Sequence, residues 1–162
     1  MGSDGEKHLV GFRAAVRRRY HWIVLQRMKT AIHKLISERQ HVSFAELSRI
    51  IPGFRGDIMM HHGTDKNIVL WPWCSDEGID ALQELLGDDL IFFHLLSDLS
   101  VMVEEHPALP RVNRPPKGGY KDLHWLPVCF CDYPIKPKGS NKRRLLTVMN
   151  LKAETFCRTN RI

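Results

Sequence analysis

Residues 75–86 read SDEGIDALQELL, and the interpretation of the whole fold depends on this stretch. Ser75 precedes two carboxylates, which is typical of a helix start, because a serine hydroxyl caps the first turn and the helix dipole favours acids there. Ile79, Leu82 and Leu86 recur at three- and four-residue steps, so they share one face. The stretch is therefore predicted to form an amphipathic helix.

Two further helices are predicted upstream of this stretch. Residues 9–38 place Val24 and Met28 among other apolar residues at helical spacing, and no proline interrupts them. Ser43–Glu46 matches a capping box, in which the serine and the glutamate each bind the other's backbone N–H. The helix that begins there is predicted to be short, because Pro52 follows after about two turns.

Strands are predicted between and after the helices. Residues 54–66 read as a loop with strand character at Ile58–Met60, and Asn67–Trp73 contains a β-branched and aromatic run that favours a strand. Leu90–Leu95 and Leu99–Glu104 flank a Leu-Ser-Asp sequence, which predicts that the two segments pair as a hairpin.

This order of elements resembles winged helix-turn-helix domains over roughly residues 18–105. The resemblance rests on Val42–Ile51 as the second helix, Ser75–Leu86 as the third and Leu90–Glu104 as the wing hairpin. It implies that the third helix enters the major groove of DNA. The chain departs from the pattern at Pro52–Cys74, which is much longer than the usual turn of about three or four residues.

The predicted fold class is α+β, a winged-helix-like domain with a strand region inserted between the second and third helices and a basic C-terminal extension. A length of 162 residues suits one domain. We predict a flexible N-terminus at 1–8, a globular domain at 9–133 with a proline-rich connector at 105–122, and a basic tail at 134–162. A further strand is predicted within Leu123–Tyr133, because that segment returns to strand-forming residues.

Charge is sorted into three blocks along the chain. Residues 1–42 hold nine Lys/Arg and three Asp/Glu, residues 43–106 hold three and twelve, and residues 107–162 hold twelve and three. The predicted third helix carries four carboxylates and no Lys or Arg, so it would repel the DNA backbone. The basic flanks are better suited to polyanions.

The leading functional hypothesis is a non-enzymatic nucleic-acid-binding protein, a regulator or accessory factor that contacts DNA or RNA phosphates through its basic flanks. Tyr20 and Trp22 accompany the cations of the first helix. The predicted contact residues are Arg13, Arg17, Arg18, Arg19, Lys117, Lys121, Lys136, Lys138, Lys142, Arg143 and Arg144.

The second hypothesis is a protein-interaction module or inhibitor that binds a basic protein partner through an acidic face. That face would consist of Asp76, Glu77, Asp80 and Glu84. A homodimer through the long first helix is a further alternative. The basic flanks could also fold against the acidic block of the same chain or form an ordinary solvated surface.

A third hypothesis is a small hydrolase around His61, His62 and Asp65, where a histidine would act as base and the aspartate would orient it. No nucleophile motif accompanies this group, and an exposed turn is predicted here in preference to an active site. The prediction is therefore that the protein is not an enzyme, with no catalytic residues and no cofactor.

His124, Cys129 and Cys131 combine three metal-ligating residue types, with Cys157 as a fourth. Zinc sites usually use Cys-x2–4-Cys spacing, and a Cys-x-Cys pair lacks the turn that presents such ligands. The two residues would point to the same face of a strand. Buried thiols in a core strand are predicted here instead, and no metal site.

An intracellular location is expected, because four cysteines are too few for a disulfide scaffold and reduced thiols are the default there. The N-terminal sequence lacks the features of a secretory signal. Apolar runs are short, so membrane contact is not expected.

Overall fold

The computed structural model describes residues 4–63, 65–112, 118–135 and 156–160, with side chains in 16–63, 65–112 and 118–135. Helices and strands alternate in it, so the α+β class is confirmed. The elements are α1 (Asp4–Arg39), β1 (Val42–Ser43), α2 (Phe44–Ile50), β2 (Arg55–His62), β3 (Asp65–Cys74), α3 (Asp76–Gly87), β4 (Phe92–Leu95), α4 (Asp98–Val103), β5 (His124–Trp125), β6 (Val128–Cys131) and β7 (Phe156–Asn160).

The three predicted helices are confirmed, and their starts are fixed by hydrogen bonds from serine caps. The backbone N–H of Glu46 donates to Ser43 Oγ at 3.1 Å, and that of Gly78 donates to Ser75 Oγ at 3.0 Å. The first helix begins at Asp4, within the segment 1–8 that was predicted to be flexible. No helix in the described part of the chain is both long and apolar enough to cross a membrane.

The strands form two sheets. One has three strands in the order β1-β6-β4, and both outer strands run antiparallel to β6. The other has four strands in the order β5-β3-β2-β7, in which β2 and β3 form an antiparallel hairpin and β5 lies parallel to β3. The further strand predicted within Leu123–Tyr133 is confirmed as β5 and β6.

The prediction of a wing hairpin at Leu90–Glu104 is wrong. Its first half forms β4, but β4 pairs with β6, where Phe93 lies opposite Phe130. Its second half forms α4, because Ser97 caps a helix and accepts the backbone N–H of Ser100 at 3.2 Å. A serine followed by an aspartate therefore begins a helix here, as it does at Ser75.

Residues 54–66, predicted to be mainly loop, instead contain β2 and the start of β3. The β2 strand pairs on its other side with β7, where Met60 lies opposite Arg158. Within the segment 134–162, which the sequence assigns to a basic tail, residues 156–160 thus belong to a sheet.

Aromatic side chains between the two sheets form the centre of the core. The ring of Phe44 stacks on Trp71 at 5.8 Å between ring centres and meets Phe130 edge-on at 5.0 Å. All three rings are buried. Phe44 therefore joins β3 of the four-stranded sheet to β6 of the three-stranded sheet, and it packs the core from the start of α2.

Candidate functional site: a basic helix surface and a polar cluster

Residues 16–24 of α1 present basic side chains to solvent. Leu25 is the first buried residue along the described side chains of this helix, and Arg17, Arg18 and Arg19 are all exposed. Consecutive helix positions differ by roughly 100°, so the three guanidinium groups spread over about 200° of the surface. Within the described side chains, no ion pair involves these arginines.

Two aromatic side chains accompany the arginines. Tyr20 is 70% exposed and Trp22 is 60% exposed, so each ring has a face open to a ligand. Arg17 and Tyr20 are three residues apart, as are Arg19 and Trp22, and side chains at this spacing are neighbours on a helix. Each aromatic ring thus has an arginine beside it on the same side of α1.

The structure describes only some of the other residues that are predicted to contact phosphates. Arg13 lies within α1, but its side chain is outside the described residues. Lys121 is exposed on the loop whose backbone carbonyl at 121 accepts a hydrogen bond from Asn67 Nδ2 at 3.3 Å. The remaining predicted residues lie outside the described residues, namely Lys117, Lys136, Lys138, Lys142, Arg143 and Arg144.

The acidic face of α3 lies partly against α1. His21 approaches Glu77 at 3.4 Å and Asp80 at 3.6 Å, and Lys29 Nζ approaches Glu84 at 2.7 Å. Asp76 is exposed. The structure therefore brings three of the four predicted partner-binding carboxylates next to cationic or titratable groups of the same chain.

His61 and His62 are buried in β2, so the exposed turn predicted for them is wrong. Burial lowers the pKa of both imidazoles. The carboxylate of Asp65 accepts hydrogen bonds from the backbone N–H groups of Asn67 and Tyr120, both at 2.9 Å. The carboxylate thus ties the loop before Tyr120 to β3, which is a structural role.

A second group of polar side chains lies on the three-stranded sheet. Phe130 points into the core, and successive strand residues alternate faces, so Cys129 and Cys131 point to the opposite face. This agrees with the prediction that the Cys-x-Cys residues share one face of a strand. His94 lies opposite Cys129 in the pairing of β4 with β6 and therefore shares that face.

His41 completes this group from the turn between α1 and β1. Val42 pairs with Phe130, so the preceding residue reaches the end of β6. The backbone N–H of His41 donates to Cys131 Sγ at 3.3 Å. One ring nitrogen of His41, one of His94 and the sulfur of Cys131 all lie within 4.8 Å of one another.

Tyr133 closes over these three residues. Its hydroxyl lies 3.3 Å from His41 Nε2, and its backbone oxygen lies 2.9 Å from His94 Nε2. Its hydroxyl also bonds to Cys131, and this bond raises the pKa of Tyr133. Burial raises the pKa of the Cys131 thiol and lowers that of His94, so both side chains favour their neutral forms.

Sequence reasoning identified Cys131 but not the histidines beside it. His124 lies instead on β5 in the other sheet, where its ring stacks on Tyr120 at 3.9 Å and its Nδ1 lies 2.8 Å from the Asp122 carbonyl oxygen. The histidines at 41 and 94 approach Cys131 only through strand pairings across 90 and 37 residues of sequence, respectively. The strand-forming character of residues 92–95 does predict a strand that contains His94. The turn-like sequence after it, however, predicts pairing with residues 99–104, whereas this strand pairs with β6.

Neither the basic helix surface nor the polar cluster can be assigned by similarity. No protein-family model, curated protein or solved structure matches the chain.

Proposed function

We propose that the protein is a non-enzymatic nucleic-acid-binding protein, a regulator or accessory factor, whose main contact surface includes the exposed residues 16–20 of α1. The observation that supports this most directly is the exposure of Arg17, Arg18 and Arg19 next to two exposed aromatic rings. Guanidinium groups bind phosphate oxygens through paired hydrogen bonds. Three such groups on consecutive positions of one helix would form a site for a polyanion.

The aromatic rings favour a single-stranded ligand. Bases of a single strand are free to stack on tryptophan or tyrosine, and such stacking contributes about 1–3 kcal/mol per base. Tyr20 and Trp22 each have an arginine three residues earlier in α1, so a phosphate and the adjoining base could be bound together. Binding of this kind depends little on sequence, because every base has a face for stacking.

The basic residues outside α1 would extend this surface. Lys121 is exposed on its loop, and the tail lysines and arginines add further cations. The proposal draws on one part of the winged-helix resemblance, namely the three helices α1, α2 and α3. Binding of nucleic acid through α1 requires neither a wing hairpin nor contacts between α3 and the bases. The proposal places the protein inside the cell, where thiols such as that of Cys74 stay reduced.

A second candidate is self-association through α1. Val16, Tyr20 and Ile23 are exposed at spacings of four and three residues, which is typical of a helix that pairs with another helix. Docking of a basic partner on α3 is less favoured, because Lys29 and His21 already face Glu84, Glu77 and Asp80. Sedimentation of the free protein would distinguish a monomer from a dimer.

The test is fluorescence-anisotropy binding of the full chain to single-stranded DNA, single-stranded RNA and duplex DNA over a range of salt. The variant Arg17→Ala/Arg18→Ala/Arg19→Ala is compared with Lys34→Ala/Arg39→Ala/Arg49→Ala, which removes the same charge from exposed positions elsewhere. Each phosphate contact on a single strand contributes about 0.7 to the slope of log affinity against log salt. Loss of three contacts should therefore lower that slope by about 2.

Equal weakening by the two triple variants would overturn the proposal, because it would show that only net charge matters. Absence of binding by the unmodified chain at low salt would overturn it as well. The alternatives would then be tested separately. Sedimentation would test self-association, and charge reversal of the α3 carboxylates would test binding of a basic protein partner.

A further inference from the structure

We infer that His41, His94 and Cys131 form a binding site for a zinc ion on the face of the three-stranded sheet opposite to Phe130. The inference does not depend on nucleic-acid binding, because none of its residues belongs to the basic surface of α1. It also differs from the expectation from sequence, which foresaw no metal site.

The three donors belong to the chemical types that zinc prefers. Imidazole nitrogen and thiolate sulfur are its common protein ligands, with bonds of about 2.0–2.1 and 2.3 Å. Hard ions such as magnesium and calcium select oxygen donors instead. A set of two imidazoles and one thiolate therefore points to zinc or a metal of similar softness.

The donors are already close to the spacing that a metal needs. They lie within 4.8 Å of one another in the structure. Zinc bonds of standard length at tetrahedral angles separate the ligand atoms by about 3.3–3.7 Å. Side-chain rotations that bring the donor atoms about 1 Å closer together would reach this spacing. His94 and Cys131 lie on β4 and β6, which are held together at four paired positions.

The backbone contact of His94 is typical of a histidine that binds a metal through Nδ1. Its Nε2 lies 2.9 Å from the carbonyl oxygen of Tyr133, and a carbonyl only accepts hydrogen bonds, so Nε2 has the proton. The lone pair of a neutral ring is then on Nδ1. A histidine that binds a metal through one nitrogen usually donates the other N–H to a carbonyl or carboxylate in this manner.

Cys131 has a matching environment. The sulfur accepts the backbone N–H of His41 at 3.3 Å, so it lies directly against the turn that carries the first histidine of the site. The groups that act on the sulfur include His41, Tyr133, the thiol of Cys129 on the same strand face and the carboxylate of Asp132.

Tyr133 supplies the remaining position. Its hydroxyl bonds to Cys131 and lies 3.3 Å from His41 Nε2, so it stands between two of the donors. A zinc ion at this place would either take the hydroxyl as its fourth ligand or displace it. Displacement would leave a position open toward the concavity lined by His94, Tyr133, Pro134 and Ile135. Three protein ligands with one open position are typical of zinc sites that bind water or another small ligand.

The test is titration of the reduced full-length protein with Co²⁺ as a spectroscopic probe, followed by competition with Zn²⁺ in the presence of a chromophoric chelator. One equivalent of Co²⁺ should produce thiolate-to-cobalt charge-transfer absorption in the near ultraviolet, and Zn²⁺ should abolish it. Cys131→Ser should remove this absorption. His41→Ala and His94→Ala should each weaken Zn²⁺ affinity by about 100-fold, because loss of a ligand costs at least as much as loss of an outer-shell partner.

Two variants act as matched controls. Cys129→Ser removes the neighbouring thiol on the same strand face, and His124→Ala removes a histidine from the other sheet. Both should bind Zn²⁺ as the unmodified chain does. Circular dichroism checks each fold, and His41→Ala tests the site if Cys131→Ser does not fold, because His41 is exposed. Undetectable binding, or equal weakening in the controls, would overturn the inference.

Discussion

Lys29 Nζ lies 2.7 Å from a carboxylate oxygen of Glu84 and joins the basic helix α1 to the acidic helix α3. The same ammonium group lies 3.7 Å from Asp88, and its side chain is only 18% exposed. The hydrogen bond with Glu84 is the main cause that raises the pKa of Lys29. Part of the charge separation seen along the sequence is thus compensated within the molecule, between two helices that pack on each other.

Replacement of this ammonium group should destabilise the fold measurably. Lys29→Met removes the ion pair but keeps most of the aliphatic chain, so we expect a loss of about 1 kcal/mol in the free energy of unfolding. Because the pKa of Lys29 is raised in the folded protein, the ion pair contributes its full stabilisation below about pH 10. This stabilisation is lost as the pH rises through the pKa of Lys29 in the folded state. Urea denaturation at neutral pH measures it.

Lys34→Met is the matched control for this prediction. Lys34 lies on the same helix, is 73% exposed and approaches Glu38 at 3.8 Å. Such exposed pairs contribute about 0.3–0.5 kcal/mol. Similar losses in the two variants would show that the Lys29–Glu84 contact adds nothing beyond helix propensity.

Gly56 is predicted to be intolerant of any side chain. A Cβ atom at this position would meet the backbone of Cys74 and Ser75, with the Ser75 Cα at 2.7 Å. Because the clash is with backbone at the irregular start of the β2–β3 hairpin, no side-chain rotation relieves it. Gly56→Ala should cost about 1–3 kcal/mol in urea denaturation.

Gly118→Ala provides the comparison, since a Cβ at that position has no neighbour within 4 Å. It should leave stability within about 0.5 kcal/mol of the unmodified chain. An equally stable Gly56→Ala variant would show that β2 and β3 can separate at this point without cost.

The helices could be predicted from sequence because their signals are local. Ser43 and Ser75 cap helices within three residues of themselves, and the apolar faces of α1 and α3 repeat within one or two turns. The first helix also ends close to its predicted boundary. Elements of this kind are specified by neighbours in the chain.

The sheets and the polar cluster could not be predicted in the same way, because strand pairing is not a local property. Phe93 pairs with Phe130, and no residue near either one specifies that choice. Local turn signals suggested instead a hairpin with residues 99–104. His94 reaches Cys131 only through this distant pairing, so a site built on it is not visible in any short motif.

Stability should fall on mild acidification because His61 and His62 are buried as neutral imidazoles. Burial is the largest cause that lowers both pKa values below 6.5, although Asp65 partly opposes it at His62. Between the lowered pKa of each histidine in the folded state and about 6.5, the unfolded chain binds more protons than the folded chain. The free energy of unfolding therefore decreases as the pH falls through this window. Thermal unfolding at about pH 7.5 and pH 5.5 measures the change.

A variant separates this effect from other acid-sensitive groups. His62→Asn cannot be protonated, so the difference in melting temperature between the two pH values should shrink. His33→Asn, which removes a partly exposed histidine from α1, should keep the difference of the unmodified chain. If His62→Asn retains the whole pH dependence, protonation of this imidazole does not limit stability.

Trp22 should distinguish a single-stranded ligand from a duplex. Its ring is 60% exposed beside Arg19, where an unpaired base can stack on it but a base within a duplex cannot. Trp22→Ala should therefore weaken binding to single-stranded DNA by about 1–3 kcal/mol, or roughly 5- to 150-fold, and change duplex binding little. Arg19→Ala should weaken both, since phosphates are present in each ligand. If Trp22→Ala reduced duplex and single-strand affinity by the same factor, the ring would contribute to the shape of α1 and not to stacking.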